Sequence, residues 1–191
     1  MTTTIKYSIF VCAICFASAP VVAGGLATPA KSPPAVSSSL SPSPTTKTQQ
    51  SANVDFEKGN AAFHANDYVK ARHLWLPLAE QGHTQAQYAV GRLYEKGKGV
   101  TRDFATAAKW YRLAAEKDHA DSQYRLAVGY AYGMGLTKDE SLALAWLRKA
   151  ANNGQKRAQK TLGRAYEEGR LGLTADPDKA KYWNDKADSG S

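Results

Sequence analysis

The four histidines are the residues whose chemistry would first suggest catalysis or metal binding: His64, His73, His83 and His119. No two of them lie four residues apart with a glutamate between them, which is the spacing of a helical zinc hydrolase site. His83 and His119 lie 36 residues apart, each just after a predicted helix, so a structural role explains them better. The sequence therefore predicts no metal site.

Two Gly-x-Gly pairs, Gly97/Gly99 and Gly133/Gly135, resemble the start of a phosphate-binding loop. Neither pair continues to a third glycine and neither follows a predicted strand, as a nucleotide-binding loop would require. Each pair instead follows a helical pattern, where glycine commonly ends a helix because it accepts the left-handed conformation. We therefore expect no nucleotide cofactor.

Serine and carboxylate side chains offer no catalytic arrangement either. The four serines after residue 54 occur in neither Gly-x-Ser-x-Gly nor Ser-x-x-Lys, the local patterns of activated serine nucleophiles. Glu116, Asp118 and Asp121 cluster near predicted helix ends, where carboxylates usually cap the helix. The sequence thus predicts no catalytic residue, no cofactor and no enzymatic activity.

Residues 1–23 have the features of a secretory signal peptide. Lys6 precedes an apolar run over 7–19, and Val21 and Ala23 are small residues suited to cleavage after Ala23. The run is short for a membrane span, which needs about 20 apolar residues, although an uncleaved anchor remains the alternative. Both cysteines, Cys12 and Cys15, lie inside this segment. We therefore predict a periplasmic or secreted protein, without disulfides or a membrane span after cleavage.

Residues 24–53 are rich in serine, proline and threonine and contain no acidic residue, which predicts a disordered linker. Residues 1–53 hold three of the 25 basic residues and none of the 17 acidic ones, so residues 54–191 carry a net charge of +5. The basic residues are scattered and form no block that would follow a phosphate backbone. We therefore expect no nucleic-acid partner.

A period of 36 residues organises the rest of the chain. The stretch 87–100 recurs at 123–136, and Asp103, Trp110 and Ala114 recur 36 residues later as Asp139, Trp146 and Ala150. The last copy contains one inserted residue. A fixed period of this length indicates stacked helical hairpins, each too small to bury its own apolar faces. We predict a leading hairpin over 55–83 and repeats over 84–119, 120–155 and 156–191.

Each repeat is predicted to contain two helices. Ala86, Val90 and Leu93 recur at helical spacing in the first helix of the first full repeat, and Gly97 is placed to end it. Asp103 is a suitable N-cap for the second helix. The predicted fold is an all-α superhelical solenoid of helical hairpins over residues 54–191.

These residues resemble the Sel1-like repeat, a longer relative of the tetratricopeptide repeat. The resemblance rests on the pattern Ala-x3-Leu-Gly-x2-Tyr-x2-Gly-x-Gly-Val, continued by Asp-x3-Ala-x2-Trp-Tyr-x2-Ala-Ala, which Ala86–Ala115 follows most fully. Members are α/α solenoids that mostly bind proteins or peptides on a concave face. Exported bacterial members are associated with envelope assembly, motility, signalling and contact with host cells. The cysteine-rich branch of the family has a disulfide in each repeat, which this chain lacks.

The resemblance also implies which side chains face a partner, because in tetratricopeptide relatives the first helix of each hairpin lines the concave surface. Transferred position by position, this predicts a partner-binding stripe made of Tyr88, Arg92, Lys96, Tyr124, Tyr132, Lys160 and Arg164. Exposed tyrosine and arginine are enriched at binding hot spots. The alternative is that the tyrosines pack between repeats and the arginines are solvated.

The predicted function is a non-catalytic, monomeric interaction scaffold that binds a protein or an extended peptide. A cell-wall hydrolase or peptidoglycan-binding protein is the alternative, because a positive groove lined by tyrosines could also stack sugars or attract anionic polymers.

Overall fold

The computed structural model describes the backbone of residues 44–189 and the side chains of residues 50–189. This part of the chain forms eight α-helices and no strand. They are α1 (Pro44–His64), α2 (Tyr68–Glu80), α3 (Thr84–Lys96), α4 (Phe104–Ala115), α5 (Ala120–Tyr132), α6 (Glu140–Asn152), α7 (Lys156–Glu168) and α8 (Pro177–Ser189). Successive helices pair as hairpins, and each hairpin packs on the next, which confirms the predicted all-α repeat fold.

The first helix begins earlier than the sequence suggests. Residues 44–53, assigned above to the linker, belong to α1 in the structure. Composition alone gives this stretch to the linker, but no proline follows Pro44 until Pro77, so nothing in the sequence interrupts the helix after Pro44. The predicted signal peptide and the rest of the predicted linker lie outside the described residues.

Leucine and alanine side chains form the core between the hairpins. Val90, Leu126 and Leu162 occupy the same position of successive repeats and are at most 1% exposed. Burying each such side chain stabilises the fold by roughly 1.5–3 kcal/mol relative to leaving it exposed. Small residues face large ones within a hairpin, and a Cβ atom on Gly91 would come within 2.7 Å of the Tyr111 ring. This fit explains why the repeat keeps a small residue at that position.

A buried glutamine joins each full repeat to the helix before it. The side-chain amide of Gln87 donates to the carbonyl of Ala79 at 3.0 Å, Gln123 to Ala115 at 3.1 Å, and Gln159 to Ala151 at 3.0 Å. Each bond adds a side-chain donor to a carbonyl near the end of a second helix, which also accepts a backbone N–H from the following turn. The same polar contact thus fixes the register of successive hairpins.

The helix caps follow the repeat as predicted. Asp103 and Asp139 accept backbone N–H bonds at the start of α4 and α6, and Gly97, Gly133 and Gly169 take the left-handed conformation after α3, α5 and α7. His83 and His119 are the N-caps of α3 and α5, whose backbone N–H groups donate to their Nδ1 atoms. In the last repeat Gln155 has the same role.

The histidine caps predict a pH-dependent stability. Burial lowers the pKa of both His83 and His119 below 6.5, because the protonated ring is poorly solvated there, and the nearby Lys117 lowers the pKa of His83 further. The unfolded chain therefore binds more protons, so the contribution is present above pH 6.5 and is lost as the pH falls below it. We expect His119→Gln, which copies the cap at Gln155, to flatten the fall in melting temperature between pH 7 and pH 5. An unchanged pH dependence in the double variant His83→Gln/His119→Gln would contradict this origin.

Candidate binding groove

The predicted stripe separates into two groups in the structure. On the first full repeat, Tyr88 packs against the rings of Tyr111 and His119, with centroid distances of 5.8 Å and 4.8 Å. The guanidinium of Arg92 lies 5.7 Å from the centroids of both the Phe63 and the Tyr88 rings. These two side chains therefore make internal contacts.

The two predicted lysines lie beside carboxylates. Lys96 Nζ is 3.4 Å from an oxygen of Glu95, its neighbour in sequence, and Lys160 Nζ is 3.0 Å from Asp188 on α8. Both lysine side chains are exposed; Asp188 is exposed as well, whereas Glu95 is largely buried. The exposed pair of Lys160 and Asp188 contributes little to stability.

The other three residues of the stripe line one groove. Tyr124, Tyr132 and Arg164 border an open groove of about 610 Å³ formed by α5, α6, α7 and the loop after α7. Apolar side chains form its floor, and three cations and one carboxylate lie on its rim. The floor contains Ala127, Val128, Ala131, Ala143, Leu147, Ala165 and Leu171, and the rim contains Lys138, Glu140, Arg164 and Arg170. We call this site the third-junction groove.

The equivalent place one repeat earlier is almost filled. A cavity of only about 30 Å³ remains there, next to Glu95, Tyr111 and Arg125. The Tyr111 hydroxyl donates to one oxygen of Glu95 at 2.5 Å, and Arg125 lies 3.1 Å from the other oxygen. These three side chains close the junction between the first two full repeats.

The pKa values of Tyr111 and Arg125 in this closed junction are shifted by burial and by the neighbouring Glu95. Burial and the hydrogen bond to Glu95 raise the pKa of the Tyr111 hydroxyl. Burial opposes the charge on Arg125, but Glu95 together with Tyr111 and Tyr88 outweighs it, so the pKa of the guanidinium is raised. Tyr111 therefore stays neutral and Arg125 stays charged across the physiological pH range.

The third-junction groove is open because the 36-residue equivalents of these side chains are smaller or uncharged. Glu95 corresponds to Ala131, Arg125 to Thr161, and Tyr111 to Leu147. Ala131 and Leu147 lie on the groove floor, and Thr161 also lines the groove. The positions that hold the ion pair in the closed junction therefore hold smaller or uncharged side chains in the next junction, which leaves its centre open.

The loop after α7 also contributes to the opening of the groove. A Cβ atom on Gly135 would come within 2.2 Å of the Phe104 backbone at the start of α4, and one on Gly99 within 2.8 Å of Tyr68 at the start of α2. Gly172, shifted by the inserted residue, has nothing within 4 Å of its Cβ position. At this glycine, the first two loops lie directly on the preceding hairpin, and the third loop leaves space.

The rim differs in charge from the closed junction. The 36-residue equivalents of Phe104, Val128 and Met134, all next to the small cavity, are Glu140, Arg164 and Arg170. Arg170 pairs with Glu168 at 3.2 Å, which raises the pKa of its guanidinium, and Lys138 pairs with Glu140 at 3.0 Å. Apolar side chains that seal one junction are thus replaced by charged ones around the open groove.

Sequence reasoning missed Lys138, Arg170 and Leu171 as groove residues. The available signal was the inserted residue of the last repeat, which puts leucine at the 36-residue equivalent of Gly135. Leu171 takes the left-handed conformation with φ +56°, which costs roughly 1–2 kcal/mol for a residue with a Cβ. Strain of this kind is common in loops that line binding sites.

The described residues contain no group of three or more histidine, cysteine, aspartate or glutamate side chains that could hold a metal ion. The groove offers aromatic, apolar and cationic contacts. Such a surface can bind a ligand without transforming it.

Comparisons with known proteins agree with this architecture. The sequence model of the Sel1 repeat matches residues 57–83, 84–119, 120–155 and 157–187. Among solved structures, the chain is similar to a protective antigen present in uropathogenic Escherichia coli strains that displays an SLR fold, with 35% identity and a TM-score of 0.69. It is also similar to a Sel1 repeat protein from Oxalobacter formigenes, with 30% identity and a TM-score of 0.68.

These similarities cover most of the chain but only part of the relatives. They include 75% and 73% of this chain, against 32% of the Escherichia coli protein and 57% of the Oxalobacter protein. No curated protein matches the chain.

Proposed function

The chain belongs to the Sel1 repeat family, and from that premise we propose that it is an interaction scaffold that binds a protein partner in the third-junction groove. Proteins of this family generally act as protein–protein interaction scaffolds without catalysis. The specific site and the form of the partner, an extended segment of polypeptide, are our proposal.

The choice of site rests on one observation. Side chains fill the space between two repeats at one junction and leave the equivalent space open at the next. The first is closed by Glu95, Tyr111 and Arg125, and the second is an open groove of about 610 Å³. Ligand sites in proteins have volumes of roughly 300–1,000 Å³ and combine apolar walls with a few polar groups. The difference arises from substitutions in an otherwise regular repeat, which supports a site formed for a ligand rather than loose packing.

We further propose that the protein acts in the periplasm or outside the cell, after cleavage behind Ala23. The support is the apolar segment over 7–19 with Lys6 before it, together with the similarity to a protective antigen of Escherichia coli. Within the part of the chain that the structure describes, no helix has the length and apolar character needed to span a membrane. The roles in envelope assembly, motility, signalling or host contact that the family resemblance implies remain open within this proposal.

Removing an exposed tyrosine from the groove tests this proposal. Tyr132 is 69% exposed at the groove, and Tyr182 is 55% exposed on α8 and does not line it. We expect Tyr132→Ala to lower the affinity for a partner captured from native envelope extracts about tenfold, because a hot-spot tyrosine contributes on the order of 1–2 kcal/mol. Tyr182→Ala is the matched control and should bind as the unchanged protein does.

Equal binding by both variants would remove Tyr132 from the interface. Sedimentation with purified peptidoglycan, combined with a turnover assay, distinguishes the alternative function. Turnover would contradict a scaffold, and co-sedimentation that Tyr132→Ala abolishes would assign the groove to a cell-wall polymer.

A further inference from the structure

We propose that the third-junction groove recognises a partner segment in which an aspartate or glutamate stands beside a bulky apolar side chain. This inference rests on the proposed function and specifies the chemistry of its ligand. The carboxylate would meet the cations of the rim, and the apolar side chain would lie on the floor between α5, α6 and α7.

The chain itself shows how such a carboxylate is held at this place in the repeat. At the closed junction, Glu95 enters the space between α3, α4 and α5, where Tyr111 donates to one of its oxygens and Arg125 to the other. At the open junction Ala131, Leu147 and Thr161 replace Glu95, Tyr111 and Arg125, so the acidic group and the two side chains that hold it are all absent and the space is open. A carboxylate from a partner would occupy the space that Glu95 fills in the closed junction, and it would meet the cations of the rim.

The rim of the groove has cations available for that carboxylate. No residue of the described part of the chain pairs with Arg164 through a hydrogen bond or an ion pair. Lys138 and Arg170 each have one carboxylate partner, and all four side chains of these two pairs are 47–61% exposed. Exposed pairs of this kind are weak, so a ligand carboxylate can share these cations at little cost. With both partner carboxylates counted, Glu140 and Glu168, the three cations of the rim leave an excess of one positive charge.

The floor sets the second requirement. Val128, Leu147 and Leu171 lie among alanines there, and no acidic side chain is on the floor. A wholly polar segment would leave this apolar surface in contact with water. A leucine- or phenylalanine-sized side chain would cover it, and removing this apolar area from water favours the complex. The groove thus combines a charge requirement and a size requirement within one site.

The N-terminal part of this chain does not have the composition of the ligand that we infer. Residues 1–53 contain no aspartate or glutamate, so they cannot present the carboxylate that the rim would attract. The occupant we infer is therefore a segment of another protein.

A peptide selection tests the inference with the full chain. A random heptapeptide library displayed on phage is selected on the unchanged protein and depleted on the variant Ala131→Glu/Thr161→Arg, in which the groove centre is filled. Selected peptides are synthesised with their acidic residue and with the matching amide. Their affinities are then measured for the unchanged protein and for Arg164→Val/Arg170→Met, which copies Val128 and Met134 of the preceding repeat.

We expect the groove-dependent peptides to carry an acidic residue next to a large apolar one. Exchanging the acid for its amide should weaken binding to the unchanged protein about tenfold and binding to Arg164→Val/Arg170→Met less than about twofold. Circular dichroism and melting confirm that the variant, altered only at exposed positions, is folded.

Three outcomes would overturn the inference, and they differ in what they leave standing. Groove-dependent peptides without an acidic preference would reject the carboxylate but keep the proposed function. An equal effect of the amide on both proteins would assign the carboxylate to another contact. A selection without any groove-dependent peptide, together with peptidoglycan that binds the unchanged protein and not Ala131→Glu/Thr161→Arg, would reject the protein partner as well.

Discussion

The double variant Ala131→Glu/Thr161→Arg should fold normally and lose at least about 100-fold in affinity for its partner, which corresponds to about 2.7 kcal/mol. The two substitutions copy Glu95 and Arg125, which fill the equivalent place one repeat earlier. A partner segment would have to break the new ion pair and displace both side chains. Few single changes in an interface have so large an effect, because most remove one contact and leave the site open.

The design leaves Leu147 unchanged for a steric reason. Copying Tyr111 there would place a phenol ring against Ala127, whereas Tyr111 itself faces Gly91, where even a Cβ atom would lie 2.7 Å from the ring. Overpacking of this kind typically destabilises a core by about 1–3 kcal/mol. Keeping the leucine separates the loss of binding from a loss of folding.

A matched control adds the same two charges away from the groove. Ala145 and Thr101 are exposed and do not line it, so Ala145→Glu/Thr101→Arg has the same net charge as the filled variant. We expect this control to bind its partner with unchanged affinity in isothermal titration calorimetry. If the filled variant, shown to be folded by circular dichroism, bound as tightly as the control, the groove would not be the binding site.

The second large effect concerns stability. Gly135→Ala should lower the free energy of unfolding by roughly 2–5 kcal/mol. Gly135 has φ +70°, which disfavours a residue with a Cβ by about 1–2 kcal/mol. The added Cβ would also lie 2.2 Å from the Phe104 backbone, so the loop must move away from α4 at a further cost of about 1–3 kcal/mol.

Gly172→Ala is the control for this prediction. Its φ of +72° is nearly the same, but nothing lies within 4 Å of the added Cβ. We expect a loss of only about 1–2 kcal/mol in urea denaturation, due to the backbone conformation alone. Equal losses for the two variants would mean that the third loop lies as close to its neighbouring hairpin as the second loop does, and that the groove is not open.

The repeat made the fold predictable from the sequence. Asp103 and Asp139 precede apolar helical patterns 36 residues apart, and Gly97 and Gly133 follow such patterns, so local chemistry marked the starts of α4 and α6 and the ends of α3 and α5. The buried positions of Leu126 and Leu162 followed from the same period. The start of α1 was not predictable in this way, because residues 44–53 have the composition of a linker and no cap marks the boundary.

The residues of the third-junction groove were predictable only in part. A position-by-position transfer named Tyr124, Tyr132 and Arg164, which border the groove, together with Tyr88 and Arg92, which make internal contacts. The period cannot separate these two groups, since Tyr88 and Tyr124 occupy the same position of successive repeats. Their surroundings differ because Glu95 beside the first is replaced by Ala131 beside the second. They also differ because a one-residue insertion changes the path of the loop after α7, which the period alone does not predict.

Photo-crosslinking tests whether a partner protein binds in the third-junction groove. Benzoylphenylalanine placed at position 132 should form a covalent adduct with a partner protein in the native envelope, and mass spectrometry should locate the linkage on one segment of that partner. The same group at position 182, on α8, should give no such adduct. An adduct from position 182 and none from position 132 would contradict the account, because the partner would then contact the end of the array rather than the third-junction groove.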